Sequence, residues 1–103
     1  MKCATVLYAN KEGGRFDFDY YMGHHIPMVR RLLGCDIEVR RGLPSPTGTA
    51  EHVCLATIWF ESLEEFQSMF DQHGQQILAD VPNYTNIQPT LELQEVLVSK
   101  EQS

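Results

Sequence analysis

Hydrophobic and polar residues follow two spacings along the chain, and the order of these spacings predicts six structural elements. Segments 3–8, 36–43 and 52–60 carry apolar and β-branched residues in short runs or in strict alternation, which is typical of strands. A fourth strand is predicted within 84–98, where Leu91 and Leu93 alternate with polar residues. Segments 3–8 and 52–60 are apolar on both faces, which predicts central strands, whereas the alternation in 36–43 predicts an edge strand.

The first of two predicted helices follows Asp17, whose carboxylate is expected to act as its N-cap. Residues at helical spacing form one apolar face: Tyr21, His25, Met28 and Leu32. Pro27 should kink or restart this helix and bias Ile26 away from helical backbone angles. Gly34 is expected to end it.

The second predicted helix begins with a capping box formed by Ser62 and Glu65. Leu63, Phe66 and Phe70 would form its apolar face. Gly74 is expected to break this helix, with a short continuation over 75–81.

The order strand, helix, strand, strand, helix, strand predicts an α+β fold of the ferredoxin-like βαββαβ type, as a single domain over residues 1–103. Right-handed crossovers place both helices on one face of a four-stranded antiparallel sheet. The two central strands also carry apolar residues on the other face. Because soluble monomers seldom expose such a face, we expect a homodimer that packs sheet against sheet.

Charge and cysteine content exclude several classes of protein. Residues 51–103 carry one Lys or Arg against nine Asp or Glu, so the clustered cations of a nucleic-acid surface are not present there. No apolar run reaches the length of a membrane span, and we expect no signal peptide. Cys3, Cys35 and Cys54 are odd in number and show no CxxC spacing, which favours a cytoplasmic protein without disulfides.

The segment 16–27 carries the residues best suited to chemistry. His25 lies on the inward face of the first helix, and its ordinary pKa near neutrality makes it a candidate proton donor or acceptor. Tyr20 and Tyr21 are candidates to hydrogen-bond a substrate oxygen. Asp17 and Asp19 would either orient His25 or a substrate hydroxyl, or only favour the start of the helix. An inward His bonded to the backbone, with Tyr rings as core, is the purely structural alternative.

Metal and nucleotide sites have little support in the sequence. The four histidines at 24, 25, 52 and 73 form neither HxxxH nor HExxH, and adjacent histidines on a helix point to different faces. No GxGxxG or phosphate-binding loop occurs. We therefore expect no cofactor and no metal.

Two segments resemble the EthD family, which is named after a protein encoded with an ether-degrading monooxygenase system. The first is Phe16-Asp17-x-Asp19-Tyr20-Tyr21-x-x-x-His25-x-Pro27. The second is Asp80-Val81-Pro82-Asn83-Tyr84-Thr85-Asn86-Ile87-Gln88-Pro89, together with Gln94-Glu95-Val96 near the end of the chain. The resemblance implies a dimeric α/β barrel with a mainly apolar pocket between each sheet and its helices. It also implies an association with cofactor-free oxidoreductases, cyclases, lyases and isomerases, although a shared fold does not choose among these reactions.

Together, these observations predict a small cofactor-independent enzyme that acts on a hydrophobic small molecule, with His25 as general acid/base. Its chemistry would be of lyase, cyclase, isomerase or monooxygenase type. The candidate apolar walls of the pocket are Phe18, Trp59, Phe66 and Phe70. Two alternatives stay open: a non-catalytic dimer that binds a metabolite or assists an oxygenase, and a haem-handling protein with His25 as axial ligand.

Overall fold

Four strands form one antiparallel sheet in a computed structural model that describes residues 1–98. The strands are β1 (Lys2–Ala9), β2 (Ile37–Arg41), β3 (His52–Phe60) and β4 (Thr90–Glu95). Their order is β2-β3-β1-β4, and each neighbouring pair is antiparallel. The predicted α+β fold is therefore confirmed, with β1 and β3 at the centre and β2 at an edge.

The helices are α1 (Phe18–Tyr20), α2 (Ile26–Leu33) and α3 (Leu63–Ala79). A π-helical turn, Tyr21–His25, joins α1 to α2, so that the three pieces form one continuous helical segment. A short 3₁₀ turn, Val81–Asn83, follows α3 and leads toward β4.

Strand register divides the sheet into a helix-covered face and an outer face. Ala4 pairs with Ile58 and Val6 with Ala56, and these side chains meet the buried faces of α2 and α3. Cys3, which pairs with Trp59, points to the outer face. Both faces of the central strands therefore carry apolar side chains, as their sequence pattern predicted.

The first helical segment begins as predicted and restarts as α2 at Pro27 as predicted, but Ile26 keeps helical backbone angles. The side chain of Asp17 accepts a hydrogen bond from the backbone N–H of Tyr20, and Gly34 ends α2 with a left-handed φ of 65°. The prediction that Ile26 leaves the helical region was wrong, because its φ and ψ are −63° and −44°. The chain instead widens into the π-turn just before Pro27, where Ile26 N–H bonds to Tyr21 C=O.

The second helix is longer than predicted. Ser62 accepts a hydrogen bond from the backbone N–H of Glu65 at 3.1 Å, which confirms the N-cap. The prediction that Gly74 breaks the helix was wrong, since α3 continues through it to Ala79. Gly74 is buried, and a Cβ at this position would lie 3.0 Å from the ring of Phe70. Space for that ring accounts for the glycine.

Candidate functional site

A mainly apolar cavity of about 110 Å³ lies between the sheet and the helices. Side chains from β1, β3, the first helical segment, α3 and the start of β4 surround it. Most of them are aliphatic, including Val6, Val29, Ile58 and Ile77. The polar groups converge at one end, where His25 and Tyr84 line the wall. An apolar space with a few polar groups is the usual form of a small-molecule site.

His25 is held by a carboxylate that comes from the end of α3. Its Nδ1 lies 2.9 Å from Oδ2 of Asp80, and the His25 residue is 4% exposed. The other carboxylate oxygen, Oδ1, accepts a hydrogen bond from the Tyr20 hydroxyl at 2.7 Å and one from the Asn83 amide at 2.9 Å. Asp80 is thus fixed from two sides, and it fixes the imidazole in turn.

The second ring nitrogen of His25 faces a pair of tyrosine hydroxyls. Nε2 lies 3.4 Å from the Tyr84 hydroxyl, which is a long separation, while the Tyr84 and Tyr8 hydroxyls are only 2.6 Å apart. Nε2 is therefore only weakly engaged within the protein. A ligand oxygen or an acidic C–H group that entered the cavity would meet both this nitrogen and the Tyr84 hydroxyl.

The environment keeps the imidazole neutral and the carboxylate charged. Burial lowers the pKa of His25, and the hydrogen bond and negative charge of Asp80 oppose this effect only in part. Burial raises the pKa of Asp80, but hydrogen bonds from Asn83, Tyr20 and His25 outweigh it, so that this pKa is lowered. At neutral pH, the Nδ1–H group of His25 then donates a hydrogen bond to Asp80, and Nε2 presents its lone pair, as a general base requires.

Tyr21 and His25 lie at the two ends of the π-turn, and both are buried. The two rings stack with their centroids 5.4 Å apart and their planes 16° apart. π-turns within helices often occur at functional sites. Burial also raises the pKa values of the Tyr21 and Tyr84 hydroxyls above the ordinary tyrosine range, so both stay protonated as hydrogen-bond donors.

Three of the five predicted chemical residues lie in this network. His25 and Tyr21 line the cavity, and Tyr20 reaches Asp80 from outside it. Asp17 is exposed and caps α1, and Asp19 is exposed in the first turn. The carboxylate that contacts His25 is therefore Asp80, and neither of the two acids near the start of the helix does so.

Only one of the four predicted pocket walls lines the cavity. Phe70 does so, while Phe66 stacks against Phe60 in the neighbouring core, with ring centroids 4.6 Å apart. Phe18 lies under the guanidinium of Arg41, at 4.1 Å. Trp59 is on the outer face of the sheet, because it pairs with Cys3 and follows Ile58 by one residue.

Reasoning from residue spacing did not identify Asp80, Tyr84 and Tyr8 as site residues. Asp80 and Tyr84 are 55 and 59 residues from His25 in sequence, so no local period connects them. The one available signal was the second EthD-like segment, which contains both residues but does not state their role. Tyr8 was recognised only as part of a buried strand.

Within residues 1–98, no three His, Cys, Asp or Glu side chains group closely enough to hold a metal ion. In the same described range, no helix combines the length and apolar character needed to cross a membrane. A haem macrocycle is far larger than a cavity of about 110 Å³, so this geometry does not support the axial-ligand alternative for His25.

Comparison with known proteins agrees with the resemblance found in the sequence. The model of the EthD domain matches residues 15–88, which include His25, Asp80 and Tyr84. The chain is similar to the crystal structure of an EthD-like protein from Ralstonia eutropha, with 34% identity over 99% of this chain and 96% of that one and a TM-score of 0.91. No curated protein matches it.

Two further structures share the fold at lower identity. An EthD family protein from Bacillus halodurans is 22% identical over 94% of this chain and 99% of its own, with a TM-score of 0.68. A protein from Bordetella bronchiseptica, whose name assigns it to the antibiotic biosynthesis monooxygenases, is 16% identical over 94% of this chain and 96% of its own, with a TM-score of 0.58. At these identities the likeness concerns the fold alone.

Proposed function

This chain belongs to the EthD family, and on that premise we propose that it is a small cofactor-independent enzyme that moves a proton on a hydrophobic small molecule, with His25 as general acid/base. One observation carries the proposal. A buried neutral imidazole is bonded through Nδ1 to Asp80 at 2.9 Å and lines an apolar cavity next to the Tyr84 hydroxyl. A base, the group that orients it and a hydrogen-bond donor for a substrate oxygen are thus within reach of one ligand.

The proposed chemistry follows from the roles of these three groups. Nε2 of His25 takes a proton from a carbon next to a carbonyl group, or from a phenol, and the resulting imidazolium pairs with Asp80. The Tyr84 hydroxyl donates to the oxygen on which negative charge develops. His25 then returns the proton to another atom of the same molecule. Isomerase, lyase and cyclase reactions share this proton transfer, and it requires no external reactant.

The proposed setting is a cytoplasmic homodimer. Cys3, Cys35 and Cys54 are all free thiols, which suits a reducing compartment. The outer face of the sheet carries Leu55 and Trp59, both half-buried, and is proposed to meet a second copy.

The decisive experiment compares His25→Asn with His24→Asn. A methyl ketone such as 2-heptanone is incubated with each protein in D₂O, and exchange of its α-protons is followed by NMR. We expect the His25 variant to lose catalysed exchange by about 10²- to 10⁴-fold, because proton transfer by a positioned base contributes that factor. His24 is exposed and does not line the cavity, so its variant should behave as the wild type.

The rival is a non-catalytic protein that binds a metabolite or assists an oxygenase. Internal hydrogen bonding favours it, because Tyr8, Tyr84, His25, Asp80 and Tyr20 already contact one another without a ligand. Unchanged exchange in His25→Asn, or no catalysed exchange by the wild type with ketone and phenol probes, would support this rival. A large loss of thermal stability in His25→Asn with unaltered ligand affinity would give the histidine a structural role.

A further inference from the structure

The cavity beside His25 is too small to enclose a typical ligand. Its volume of about 110 Å³ compares with the roughly 300–1,000 Å³ of ordinary small-molecule pockets. Only one end of a larger molecule fits inside. The rest of that molecule must leave through the mouth of the cavity and lie on the surface next to it.

The exposed residues of the lining lie at the end of α3 and the start of β4, which puts the mouth of the cavity between these two elements. Leu78 and Leu91 line the cavity and are nevertheless 51% and 45% exposed. Leu93 is 51% exposed and shares the face of Leu91, because Leu93 pairs with Ala4 and Leu91 with Val6. We call Leu78, Leu91 and Leu93 the leucine strip. Leu93 extends the apolar wall beyond the cavity lining along β4.

The groups inside the cavity favour an uncharged ligand. The lining contains five side chains with polar atoms and none from Lys, Arg, Asp or Glu among the described residues. The five are Tyr8, Tyr21, His25, Tyr84 and Thr90. An anion placed here would lose its hydration without gaining a cationic partner, which is costly. A neutral carbonyl or phenolic oxygen needs only the hydrogen bonds that these groups supply.

We propose that the site takes a neutral, elongated molecule whose carbonyl or phenolic oxygen reaches His25 and Tyr84 and whose alkyl chain leaves the cavity along the leucine strip. The placement of the oxygen rests on the proposed function. Binding of the ligand's alkyl chain does not rest on the proposed function, because it depends only on apolar contact outside the cavity.

A series of methyl ketones tests whether the alkyl chain of the ligand contributes to binding. Affinities of butanone, 2-heptanone and 2-undecanone are measured by titration calorimetry with the whole protein. Each CH₂ group that leaves water should tighten binding about four-fold, so affinity should still rise after the cavity is full. Decanoate, of similar length but charged, should bind at least ten-fold more weakly than 2-undecanone. Equal affinity of 2-heptanone and 2-undecanone, equal affinity of decanoate, or binding of none of the ketones would overturn the proposal.

Two leucine variants locate the contact. Leu93→Ser should weaken the binding of 2-undecanone about ten-fold and leave the affinity for butanone unchanged, because only the long alkyl chain reaches this residue. Leu63→Ser is the matched control, since Leu63 is 44% exposed at the start of α3 and outside the cavity lining. Equal effects of the two variants would contradict the proposal. So would a Leu93→Ser protein whose sedimentation changes while its ketone affinity does not, because a second copy would then cover the strip.

His25→Asn separates this inference from the proposed function. The variant should keep the dependence of affinity on chain length even though it loses proton exchange. If the wild type binds long ketones more tightly but exchanges no protons, the ligand class stands and the enzymatic proposal fails. If the wild type exchanges protons but its affinity does not depend on the length of the alkyl chain, the enzymatic proposal stands and the ligand class fails.

Discussion

At the scale of single residues, the partner of His25 matters as much as His25 itself. Asp80 accepts a hydrogen bond from the Nδ1–H group of His25, so the proton of the neutral imidazole stays on Nδ1 and Nε2 is unprotonated toward the cavity. Tyr20 and Asn83 hold the carboxylate in place through its other oxygen. The acid–base behaviour of the site thus depends on a residue 55 positions away in sequence.

Asp80→Asn should lower the pKa of His25 further. Burial already lowers this pKa, and the hydrogen bond and negative charge of Asp80 oppose that effect, so loss of the charge removes part of the opposition. The amide is isosteric and its oxygen can still accept from Nδ1. An NMR titration of the imidazole measures the effect. Asp71→Asn, on the exposed side of α3, is the control and should leave His25 unaltered. A raised pKa in Asp80→Asn would refute the assigned charge state.

Acid should destabilise the protein in two steps. The folded pKa of His25 lies below its ordinary value of 6.5, so below pH 6.5 the unfolded chain binds a proton that the folded chain resists, and stability falls as pH drops through this interval. The lowered pKa of Asp80 contributes stability above its ordinary value of 3.8, and this contribution is lost as pH falls through the folded pKa.

Urea denaturation at pH 7 and pH 5 tests the first step. The wild type and His24→Asn should both be less stable at pH 5 than at pH 7. His25→Asn should show a smaller difference, because it has no imidazole at this position to titrate. Identical pH dependence in His25→Asn and the wild type would show that burial of this histidine does not govern acid stability.

At the scale of elements, substitutions of Asp17 at the start of the first helical segment distinguish a helix-capping role from a catalytic one. Asp17 was a candidate for both, and its side chain bonds to the backbone N–H of Tyr20 at 3.1 Å. Asp17→Ala should cost about 1 kcal/mol of unfolding free energy, whereas Asp17→Asn should cost little, since Asn also caps helices well. Proton exchange on 2-heptanone should survive in Asp17→Asn. Its loss in a stable Asn variant would restore a chemical role to this carboxylate.

The two helical glycines form a second matched pair. Replacing Gly by Ala usually stabilises a helix interior by up to about 1 kcal/mol. Gly23→Ala should follow this rule, because an added Cβ there meets nothing within 4 Å. Gly74→Ala should instead lower stability by about 1–3 kcal/mol, because its Cβ would lie 3.0 Å from the Phe70 ring. Urea midpoints compare the two, and stabilisation by Gly74→Ala would mean that the ring moves aside freely.

These same elements show which features of the fold and of the site could be predicted from the sequence. The strands and the two caps follow from local rules, so periodicity and side-chain chemistry predicted them. The restart of the helix at Pro27 was also predictable, since α2 begins at Ile26 with Pro27 in its first turn. The predicted break at Gly74 was wrong, because that rule describes an isolated helix and the ring of Phe70 occupies the space beside Gly74. His25 was predictable from its face of the helix, whereas Asp80 and Tyr84 reach it only through tertiary packing.

At the scale of the whole molecule, the sequence predicted a large exposed apolar face on the side of the sheet away from the helices, and the structure distributes exposed apolar side chains differently. On the outer face, four residues of the central strands are already buried within the single chain: Cys3, Thr5, Leu7 and Thr57. Gln94 from β4 accepts a hydrogen bond from Thr5 at 2.7 Å across this face. Two large exposed apolar side chains, Leu91 and Leu93, lie instead on the other face of the sheet, on the edge strand β4.

The proposed dimer therefore depends on two outer-face side chains, Leu55 and Trp59, which are half-buried in the single chain and lie on a face that no helix covers. Sedimentation should give the mass of a dimer for the wild type. Leu55→Glu should give monomers, because the partner face would have to bury an unpaired charge. Trp59 is the single tryptophan, so its fluorescence should shift to longer wavelength as the outer face becomes wet. Gln67→Glu, on the exposed side of α3, adds the same charge without separating the subunits. A monomeric wild type, or a dimeric Leu55→Glu protein with unshifted fluorescence, would place any self-association elsewhere and leave the outer face to solvent.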